Sequence, residues 1–571
     1  MVVGLPAHTA NCKKYAKKKF ISIQKPPASI RFALIKHTRA VSVEPFKYSP
    51  AEPVAYELSN IKMDIGSFLD IAKDHFPDKP AIISEDNRYT YRQFKDRIQR
   101  LMDGLFMLGV EKGDRVAALM WNSSEMMEVY LAAIRLGAIF TPLNYRLKEP
   151  ELCYLLKDAA PKVLVTDEQC QQLAGQAAGR MDNLRHLFST AFKPADGFKR
   201  YEDFISAHKP LDRKASIKAD DPCQLLYTSG TTGRPKGVVL SHENISWNTF
   251  NMIHIRRDRA RDVSLLIGPL FHAAALNSHF TTRLALGATQ VFMKKFDPER
   301  LMEAVQQERV TVLPANPTAF IMLMEHCSAG RYNTSSVTTL SSGSDKLPDQ
   351  VKQNLLDYFP QAKGVYDIYG ITECGPCISC LSAEDSLAKT ACVGFPLPFV
   401  QVRLVDERDN PVPPGHTGEV LVKGPNVMKG YYGKPAQTAK AIKNDWFYSG
   451  DLARFDDEGY LYIVDRKKDI IVSGGENVSA REVEEALFAH SAISRTAVFG
   501  TPHPKWGEQV TAAVVLAKGH DITSEQLITY LRAGLAGYKI PRKIHFLESI
   551  PESGPGKINK KRLKKILSTK M

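Results

Sequence analysis

The 571-residue sequence lacks any long apolar segment. Its longest apolar runs, such as residues 510–517, have the length of a strand, whereas a helix needs roughly 18 to 20 apolar residues to cross a bilayer. The composition is not that of a disordered chain either, since 44% of the residues are apolar and 24% are charged. We therefore expect several packed globular units and no transmembrane segment.

A complete set of cysteine ligands for a metal or an iron–sulfur cluster is also missing. The nine cysteines are an odd number and occur without a signal peptide, which indicates reduced thiols in a reducing compartment. Cys374, Cys377 and Cys380 resemble a redox dithiol or part of an iron–sulfur set, but Cys392 follows twelve residues later and is not a convincing fourth ligand. We expect the three clustered cysteines to be packing residues.

The first 43 residues contain no acidic residue. Residues 1–45 carry nine Lys or Arg and one acid, Glu44, so the rest of the chain holds only +6 of the net charge of +14. An acid-free basic leader is typical of a mitochondrial transit peptide, and a disordered basic tail is the alternative. The remainder has no recognised nucleic-acid motif, so we expect small polyanionic ligands and no nucleic acid. The expected compartment is the cytoplasm, with the mitochondrion as the alternative.

Helical and β-rich patterns alternate over much of the chain. Residues 94–108 have apolar side chains at helical spacing, and Gly109 follows where a helix should stop. Such alternation predicts α/β layers with largely parallel sheets. Residues 400–423 differ, because short strands are separated by Asp-Asn-Pro and Pro-Pro-Gly turns, which predicts an antiparallel patch.

The pattern changes again near residue 465. A charged cluster is followed there by a smaller α+β pattern whose helices begin with capping boxes, Ser479 to Glu482 and Thr523 to Gln526. We predict an α/β fold with a large multi-layered N-terminal domain of mostly parallel sheets and an antiparallel β patch, plus a small α+β C-terminal domain. The predicted parts are a leader at 1–60, a large domain at 61–465 and a small domain at 466–571.

A loop rich in glycine and hydroxyl residues follows an apolar run. Residues 227–237 read Tyr-Thr-Ser-Gly-Thr-Thr-Gly-Arg-Pro-Lys-Gly. Glycines let backbone N–H groups face an anion, hydroxyls add donors, and Lys236 supplies a positive charge. The loop is not a P-loop of the GxxxxGK[ST] type, because Pro235 stands where the second glycine belongs. The predicted phosphate-binding residues are Thr228, Ser229, Gly230, Thr231, Thr232, Gly233 and Lys236.

This loop resembles the phosphate loop of the adenylate-forming enzymes, which include acyl-CoA synthetases, firefly luciferases and peptide-synthetase adenylation domains. Further segments resemble the family's motifs in the same order. They are residues 369–373 (Tyr-Gly-Ile-Thr-Glu), 448–451 (Tyr-Ser-Gly-Asp), 465–469 (Asp-Arg-Lys-Lys-Asp), 473–478 (Ser-Gly-Gly-Glu-Asn-Val) and 551–557 (Pro-Glu-Ser-Gly-Pro-Gly-Lys). The resemblance covers about residues 65 to 567 and is greatest to medium- or long-chain acyl-CoA synthetases.

The resemblance implies which residues bind ATP. Tyr369, the backbone at Gly343 and the carboxylate of Asp367 would hold adenine. Asp451 would accept hydrogen bonds from the ribose hydroxyls, and Arg466 would donate to the ribose or a phosphate.

The same resemblance implies four catalytic residues. Glu373 would hold Mg²⁺, which prefers carboxylate and phosphate oxygen, and Thr372 would donate to the α-phosphate. Lys236 would neutralise the departing pyrophosphate together with the metal. Lys557 would bridge the incoming carboxylate and the α-phosphate, and Ser553 stands where the family usually has threonine.

The acid-binding pocket is also given only by resemblance. His272 is then either a gate at the mouth of the pocket or a packed core imidazole. Amino-acid-activating relatives have an aspartate here, so the expected substrate is a small-molecule carboxylic acid without an α-amine, with a fatty acid favoured over an aromatic acid. The implied lining residues are Phe271, His272, Ala275, Asn316, Gly343, Gly370 and Cys374.

A second half-reaction with coenzyme A completes the expected activity. The small domain would rotate about Lys468, and the loop Ser473, Gly474 and Gly475 would replace Lys557 and guide the pantetheine arm. The alternatives are transfer to a carrier-protein thiol, oxidation as in luciferases, and a non-enzymatic binding protein, which would be expected to lack Lys557 or Glu373. The expected cofactors are ATP, Mg²⁺ and coenzyme A, and a homodimer is left open.

Overall fold

The computed structural model of the protein describes residues 63–85, 87–182, 184–211, 215–228, 234–467, 469–473, 476–504, 506–554 and 557–569. The predicted leader at 1–60 therefore lies outside the described residues. Among the helices in these ranges, none is long and apolar enough to span a bilayer.

The structure contains strands and helices in alternation. In chain order the strands are β1 (Pro80–Ile83), β2 (Arg88–Thr90), β3 (Arg115–Leu119), β4 (Ile139–Pro142), β5 (Val163–Thr166), β6 (His186–Ser189), β7 (Lys199–Arg200), β8 (Pro222–Thr228), β9 (Lys236–Ser241), β10 (Val263–Leu266), β11 (Thr289–Phe292), β12 (Val312–Pro314), β13 (Thr339–Gly343), β14 (Val365–Gly370), β15 (Cys377–Leu381), β16 (Phe395–Pro396), β17 (Gln401–Val405), β18 (Gly418–Lys423), β19 (Gly430–Tyr431), β20 (Ile442–Lys443), β21 (Trp446–Phe455), β22 (Leu461–Arg466), β23 (Ile470–Ser473), β24 (Glu476–Ser479), β25 (Ile493–His503), β26 (Gly507–Leu516), β27 (Lys543–Phe546), β28 (Glu552–Gly554) and β29 (Lys557–Ile558). The α-helices are α1 (Ile65–His75), α2 (Tyr91–Met107), α3 (Ser124–Arg135), α4 (Glu149–Ala159), α5 (Gln171–Ala178), α6 (Tyr201–Ser206), α7 (His242–Arg256), α8 (Thr281–Leu286), α9 (Pro298–Gln307), α10 (Pro317–His326), α11 (Asp349–Tyr358), α12 (Pro435–Ala441), α13 (Ala480–Phe488), α14 (Ser524–Arg532) and α15 (Lys560–Thr569).

Two large sheets are parallel at their centres. One has the strand order β16-β15-β14-β13-β12-β10-β11-β1-β2, and only its edge pairs are antiparallel. The other has the order β19-β9-β8-β4-β3-β5-β6-β7 and is parallel from β8 to β7. Parallel strands need helical crossovers, so the α/β alternation in the sequence predicted this arrangement.

A third sheet is antiparallel throughout. Its order is β17-β18-β21-β20, and β22 pairs with β21. It contains the predicted antiparallel patch at 400–423. The predicted class, a large part with mostly parallel sheets, an antiparallel patch and a small α+β part, is confirmed.

The described residues after 469 form their own sheet and cores. The sheet order is β24-β23-β26-β25, with β27 parallel to β26, and a separate hairpin joins β28 and β29. One core contains Ile471, Val483 and Leu527, and another contains Phe499 and Leu563. This change of core fits the predicted boundary at 465, and the boundary itself stays a prediction.

Helix α2 illustrates how local sequence signals set an element. Thr90 caps its start with a full capping box to Gln93, and Gly109, with φ +74°, follows its end. Its apolar face includes Ile98 and Leu101, which are fully buried, and each contributes roughly 1.5 to 3 kcal/mol to folding by leaving water.

Candidate active site

The predicted nucleotide-binding residues gather at the carboxyl ends of β13 and β14. Gly343 ends β13 and pairs with Ile368 of β14, and Gly370 ends β14. A side chain at Gly343 would come within 2.8 Å of the Ile368 carbonyl oxygen, and one at Gly370 within 2.0 Å of the Pro376 carbonyl oxygen. Both positions require glycine, because the backbone of a neighbouring segment passes directly over them.

A short turn carries Thr372 and Glu373 away from this sheet edge. It is a 3-10 turn over Thr372–Cys374, and Gly375 closes it with φ +87°. The buried amide of Asn426 donates to the Cys374 carbonyl at 2.8 Å and to the Cys377 carbonyl at 2.9 Å. Buried carbonyl groups need hydrogen-bond donors, so Asn426, which lies outside the motif at 369–373, stabilises the turn.

The predicted adenine and ribose residues meet across two sheets. The Tyr369 hydroxyl donates to Asp451 Oδ2 at 2.7 Å, and Arg466 Nε lies 3.2 Å from Asp451 Oδ1. Burial, followed by the nearby Asp451 carboxylate, raises the pKa of Tyr369, so it remains a donor at neutral pH. A carboxylate offers about four acceptor positions, so Asp451 retains capacity for ribose hydroxyls.

The predicted magnesium ligand lies in a chain of three side chains. The Tyr431 hydroxyl donates to Glu373 Oε1 at 3.0 Å, and Lys236 Nζ lies 4.8 Å from the centre of the Tyr431 ring. Strand β19 brings Tyr431 here by pairing with Val238 of β9. The Glu373 carboxylate keeps further lone pairs, which suits Mg²⁺, an ion usually bound by one or two carboxylates together with substrate phosphates.

The predicted phosphate loop connects two antiparallel strands. Thr228 and Lys236 are paired residues of β8 and β9, so they lie side by side at the base of the loop. Ser229, Gly230, Thr231, Thr232 and Gly233 lie outside the described residues, and their phosphate contacts stay predictions.

Asp367 differs from its predicted environment. Its carboxylate is buried and lies 3.1 Å from Lys352 Nζ, and Lys352 is only 1% exposed. Burial raises the pKa of Asp367, and Lys352 opposes this shift. The geometry therefore gives Asp367 a packing role on β14, and its adenine contact stays a prediction.

Removing Lys352 should destabilise the protein strongly. Lys352→Met leaves the Asp367 carboxylate buried and unpaired, which costs about 3 to 5 kcal/mol in the free energy of unfolding. The folded-state pKa of Asp367, already raised, rises further, so the loss should shrink as the pH falls and the carboxyl binds a proton. Urea unfolding at pH 8 and pH 5 measures both effects, with the exposed Lys363→Met as control. A loss independent of pH would contradict this assignment.

The predicted acid pocket begins at the start of a π-helix, Ala274–Phe280. His272 is exposed, with its ring 4.4 Å from that of the buried Phe271, so the packed core alternative is wrong. Ala275 and Cys374 are buried and apolar. Asn316 caps helix α10, because its side chain accepts from the Ala319 backbone N–H at 2.8 Å.

The clustered cysteines are buried on strand β15 and in the turn that precedes it. Cys374 is fully buried, and Cys377 and Cys380 lie on β15, at 1% and 6% exposure. Burial raises the pKa of Cys377 to about 11 and also raises the pKa values of Cys374 and Cys380. Such thiols stay protonated, whereas metal ligands and redox nucleophiles are thiolates.

Serine replacements at Cys377 and Cys380 should therefore leave the activity close to that of the unmodified protein. The expected cost is stability alone, about 1 to 3 kcal/mol for burying a hydroxyl. Metal analysis of the purified protein should find no stoichiometric iron or zinc. Stoichiometric metal that is lost in either variant would contradict the packing role.

The predicted residues of the small domain are only partly described. Ser473 is buried at the end of β23, where it pairs with Glu476. The backbone of Lys557 lies in β29, opposite Gly554. Gly474, Gly475 and Lys468, together with the Lys557 and Ser553 side chains, lie outside the described residues, so their roles stay predictions.

Three residues of this site were missed in the sequence. Tyr431, Asn426 and Lys352 each contact a predicted residue from a distant part of the chain. The only local sequence feature at these three positions is the Gly-Tyr-Tyr segment at 430–432. It does not indicate which residue Tyr431 contacts.

Comparison with known proteins identifies the family. The sequence profile of the AMP-binding enzymes matches residues 69–432, and that of the AMP-binding enzyme C-terminal domain matches residues 482–557. The chain belongs to the AMP-binding enzymes. It is an acid–thiol ligase of the AMP-forming class and it uses ATP. The resemblance deduced from the motifs is thereby confirmed.

Individual AMP-binding enzymes are similar over nearly their full length. A feruloyl-CoA synthase from Amycolatopsis is 39% identical over 486 residues, 85% of this chain and 95% of the relative. A long-chain-fatty-acid–CoA ligase, FadD13, from Mycobacterium tuberculosis is 34% identical and covers 84% of this chain and 93% of its own. The structure of ATP-bound MatB from Rhodopseudomonas palustris superposes with a TM-score of 0.81 at 30% identity, covering 89% of this chain and 99% of MatB.

Proposed function

We propose that this ligase converts a carboxylic acid and ATP to an acyl-adenylate and pyrophosphate, and then transfers the acyl group to coenzyme A with release of AMP. One observation carries the proposal. Tyr369, just before the turn Thr372–Cys374, hydrogen-bonds to Asp451, and Glu373 within the turn accepts from Tyr431. The site thereby offers an acceptor for ribose hydroxyls in Asp451, a carboxylate for a metal in Glu373 and a hydroxyl donor in Thr372.

The first half-reaction is mainly electrostatic. Attack by the substrate carboxylate on the α-phosphorus builds negative charge on the α-phosphate and on the departing pyrophosphate. Thr372 donates to the α-phosphate, and Lys236 and Lys557 supply positive charge. When bound at Glu373, Mg²⁺ would neutralise phosphate oxygens.

The second half-reaction needs access for a thiol. The loop that begins at Ser473 guides the pantetheine arm after Lys557 has moved away, with Lys468 as the hinge. Transfer to a carrier-protein thiol is the alternative. Supplying coenzyme A and a carrier protein separately, and following thioester formation, distinguishes the two acceptors.

The acid substrate has an apolar body and no α-amine. Support comes from residues 272–275, His-Ala-Ala-Ala, which contain no carboxylate for an ammonium group. A fatty acid is the class predicted from sequence, and the relation to FadD13 supports it. The greater identity to the feruloyl-CoA synthase favours an aromatic acid as the second candidate.

Acid-dependent ATP–pyrophosphate exchange tests the proposal. A panel of saturated fatty acids of increasing length, hydroxycinnamic acids, arylacetic acids and amino acids should show exchange with one of the first three groups. Exchange only with amino acids would contradict the missing ammonium site. Exchange with no acid, by folded protein that still binds ATP, would contradict adenylation.

A further inference from the structure

A basic cleft shares Lys236 with the predicted active site. It lies between β9, α4 and α12, and the described residues of its walls include none of those predicted to hold adenine or ribose. The lining residues are Tyr154, Arg234, Pro235, Lys236, Lys434 and Gln437.

Three of the lining residues are cations. Arg234 is exposed and lies over the Tyr154 ring, with its guanidinium carbon 5.5 Å from the ring centre. Lys434 is 19% exposed, and Lys236 is partly exposed. Two lysines and one arginine line the same cleft, and their charge favours the binding of a compact polyanion. The planar guanidinium group of an arginine is well suited to hydrogen-bond phosphate oxygens.

One acid partly balances these charges. Asp158 Oδ1 lies 2.6 Å from Lys434 Nζ, and Asp158 Oδ2 accepts from the Tyr227 hydroxyl at 2.9 Å. Asp158 thereby holds Lys434 in place. The described lining residues together with Asp158 carry three cations and one acid, so this part of the cleft is positively charged.

Lys236 links the cleft to the predicted metal site. Lys236 belongs to the cleft wall and also lies over Tyr431, whose hydroxyl binds Glu373. A diphosphate group beside Glu373 would therefore share Lys236 with the cleft. A row of positively charged side chains attracts an anion and guides its movement along the row.

We propose that this cleft binds a diphosphate group, and that its ligand is the pyrophosphate released in adenylation, held by Lys434 and Arg234 on its way out. The proposal rests on the proposed function, because that reaction supplies pyrophosphate. The other source of the same chemistry is the diphosphate of coenzyme A. Lys236, which lines the cleft and also lies over Tyr431 beside Glu373, favours pyrophosphate.

The test measures the KM of each ligand in the full chain, after the unmodified protein has shown acid-dependent exchange. Lys434→Gln should raise the KM for pyrophosphate in ATP–pyrophosphate exchange roughly tenfold, the effect of losing one charge-assisted hydrogen bond. Arg234→Gln should act in the same direction, and Lys434→Arg should retain most of the affinity. The KM values for ATP and coenzyme A should stay unchanged. The matched control is Lys440→Gln, because Lys440 is an exposed lysine of helix α12, which begins directly after Lys434.

A variant expected to tighten pyrophosphate binding distinguishes the loss of a ligand contact from damage to the structure. Asp158→Asn keeps an acceptor for Tyr227 but removes the acid beside Lys434, so the KM for pyrophosphate should fall. Damage to folding would not tighten binding. Calorimetric titration of each variant with pyrophosphate gives the same comparison without turnover.

Three results would overturn the proposal. An unchanged KM for pyrophosphate in Lys434→Gln and Arg234→Gln would show that the cleft does not bind it. A higher KM for coenzyme A alone would assign the cleft to the coenzyme. An equal rise for ATP and pyrophosphate would make the cleft part of the ATP site. Failure of the unmodified protein to exchange would instead refute the proposed function.

Discussion

Replacing Lys557 by alanine should slow acyl-adenylate formation by roughly two to three orders of magnitude, equivalent to about 3 to 4 kcal/mol. In the proposed reaction, the lysine is needed while negative charge builds on the α-phosphate and the incoming carboxylate. Once the acyl-adenylate has formed, this charge has been redistributed, so the proposal gives the lysine no role in thioester formation. Supplied with pre-made acyl-adenylate and coenzyme A, the variant should form thioester at close to the unmodified rate.

The matched control is Lys561→Ala, an exposed lysine four positions further along the chain. Single-turnover measurements of each half-reaction compare the two variants directly. Equal losses in both half-reactions for Lys557→Ala would mean that the lysine is structural. Equal losses for the control in adenylation would mean that general basic charge in this segment, and not one amine, assists the reaction.

A substitution at the predicted hinge should have the reverse effect. Lys468→Pro fixes the backbone φ near roughly −65°, which restricts rotation of the small domain while leaving the nucleotide residues intact. Adenylation should continue and thioester formation should fall. Loss of adenylation alone would contradict the hinge assignment.

Local sequence patterns predicted much of the fold. Strands β17 and β18 form the antiparallel patch predicted at 400–423, and α2 ends at Met107, two residues before Gly109. These features depend on residues close in sequence: apolar spacing, capping side chains and glycine at positive φ. Thr523 forms the predicted reciprocal capping box with Gln526.

Long-range partners could not be predicted in the same way. Tyr431 lies 58 positions from Glu373, and Tyr369 lies 82 positions from Asp451. Each pair depends on which sheet edges meet, and no local pattern encodes this. Asp367 shows the consequence, because its motif context indicated adenine binding whereas the register of β14 directs its carboxylate to Lys352.

Replacing Glu373 by glutamine should reduce adenylation by roughly two orders of magnitude or more, the scale for losing a preorganised electrostatic contact. Glutamine keeps the shape and can still accept from Tyr431, so the turn at Thr372 should persist. What is lost is the negative charge that a hard cation requires. The apparent affinity for Mg²⁺ should fall with the rate, and higher magnesium should restore part of the activity.

Comparison of Tyr431→Phe with Glu373→Gln distinguishes the effect of the Glu373 charge from the effect of the hydrogen bond that positions it. It removes the hydroxyl that donates to Glu373 but keeps the ring beneath Lys236, so the loss should be about tenfold, the scale of one hydrogen bond to a charged group. Burial and the nearby Glu373 raise the pKa of Tyr431, so the effect should not vary between pH 7 and 9. In titrations of rate against magnesium, Glu373→Gln should shift the midpoint far more than Tyr431→Phe. A near-normal rate for Glu373→Gln at low magnesium would refute the metal assignment, since a carboxylate that holds the cation cannot be neutralised without weakening its binding.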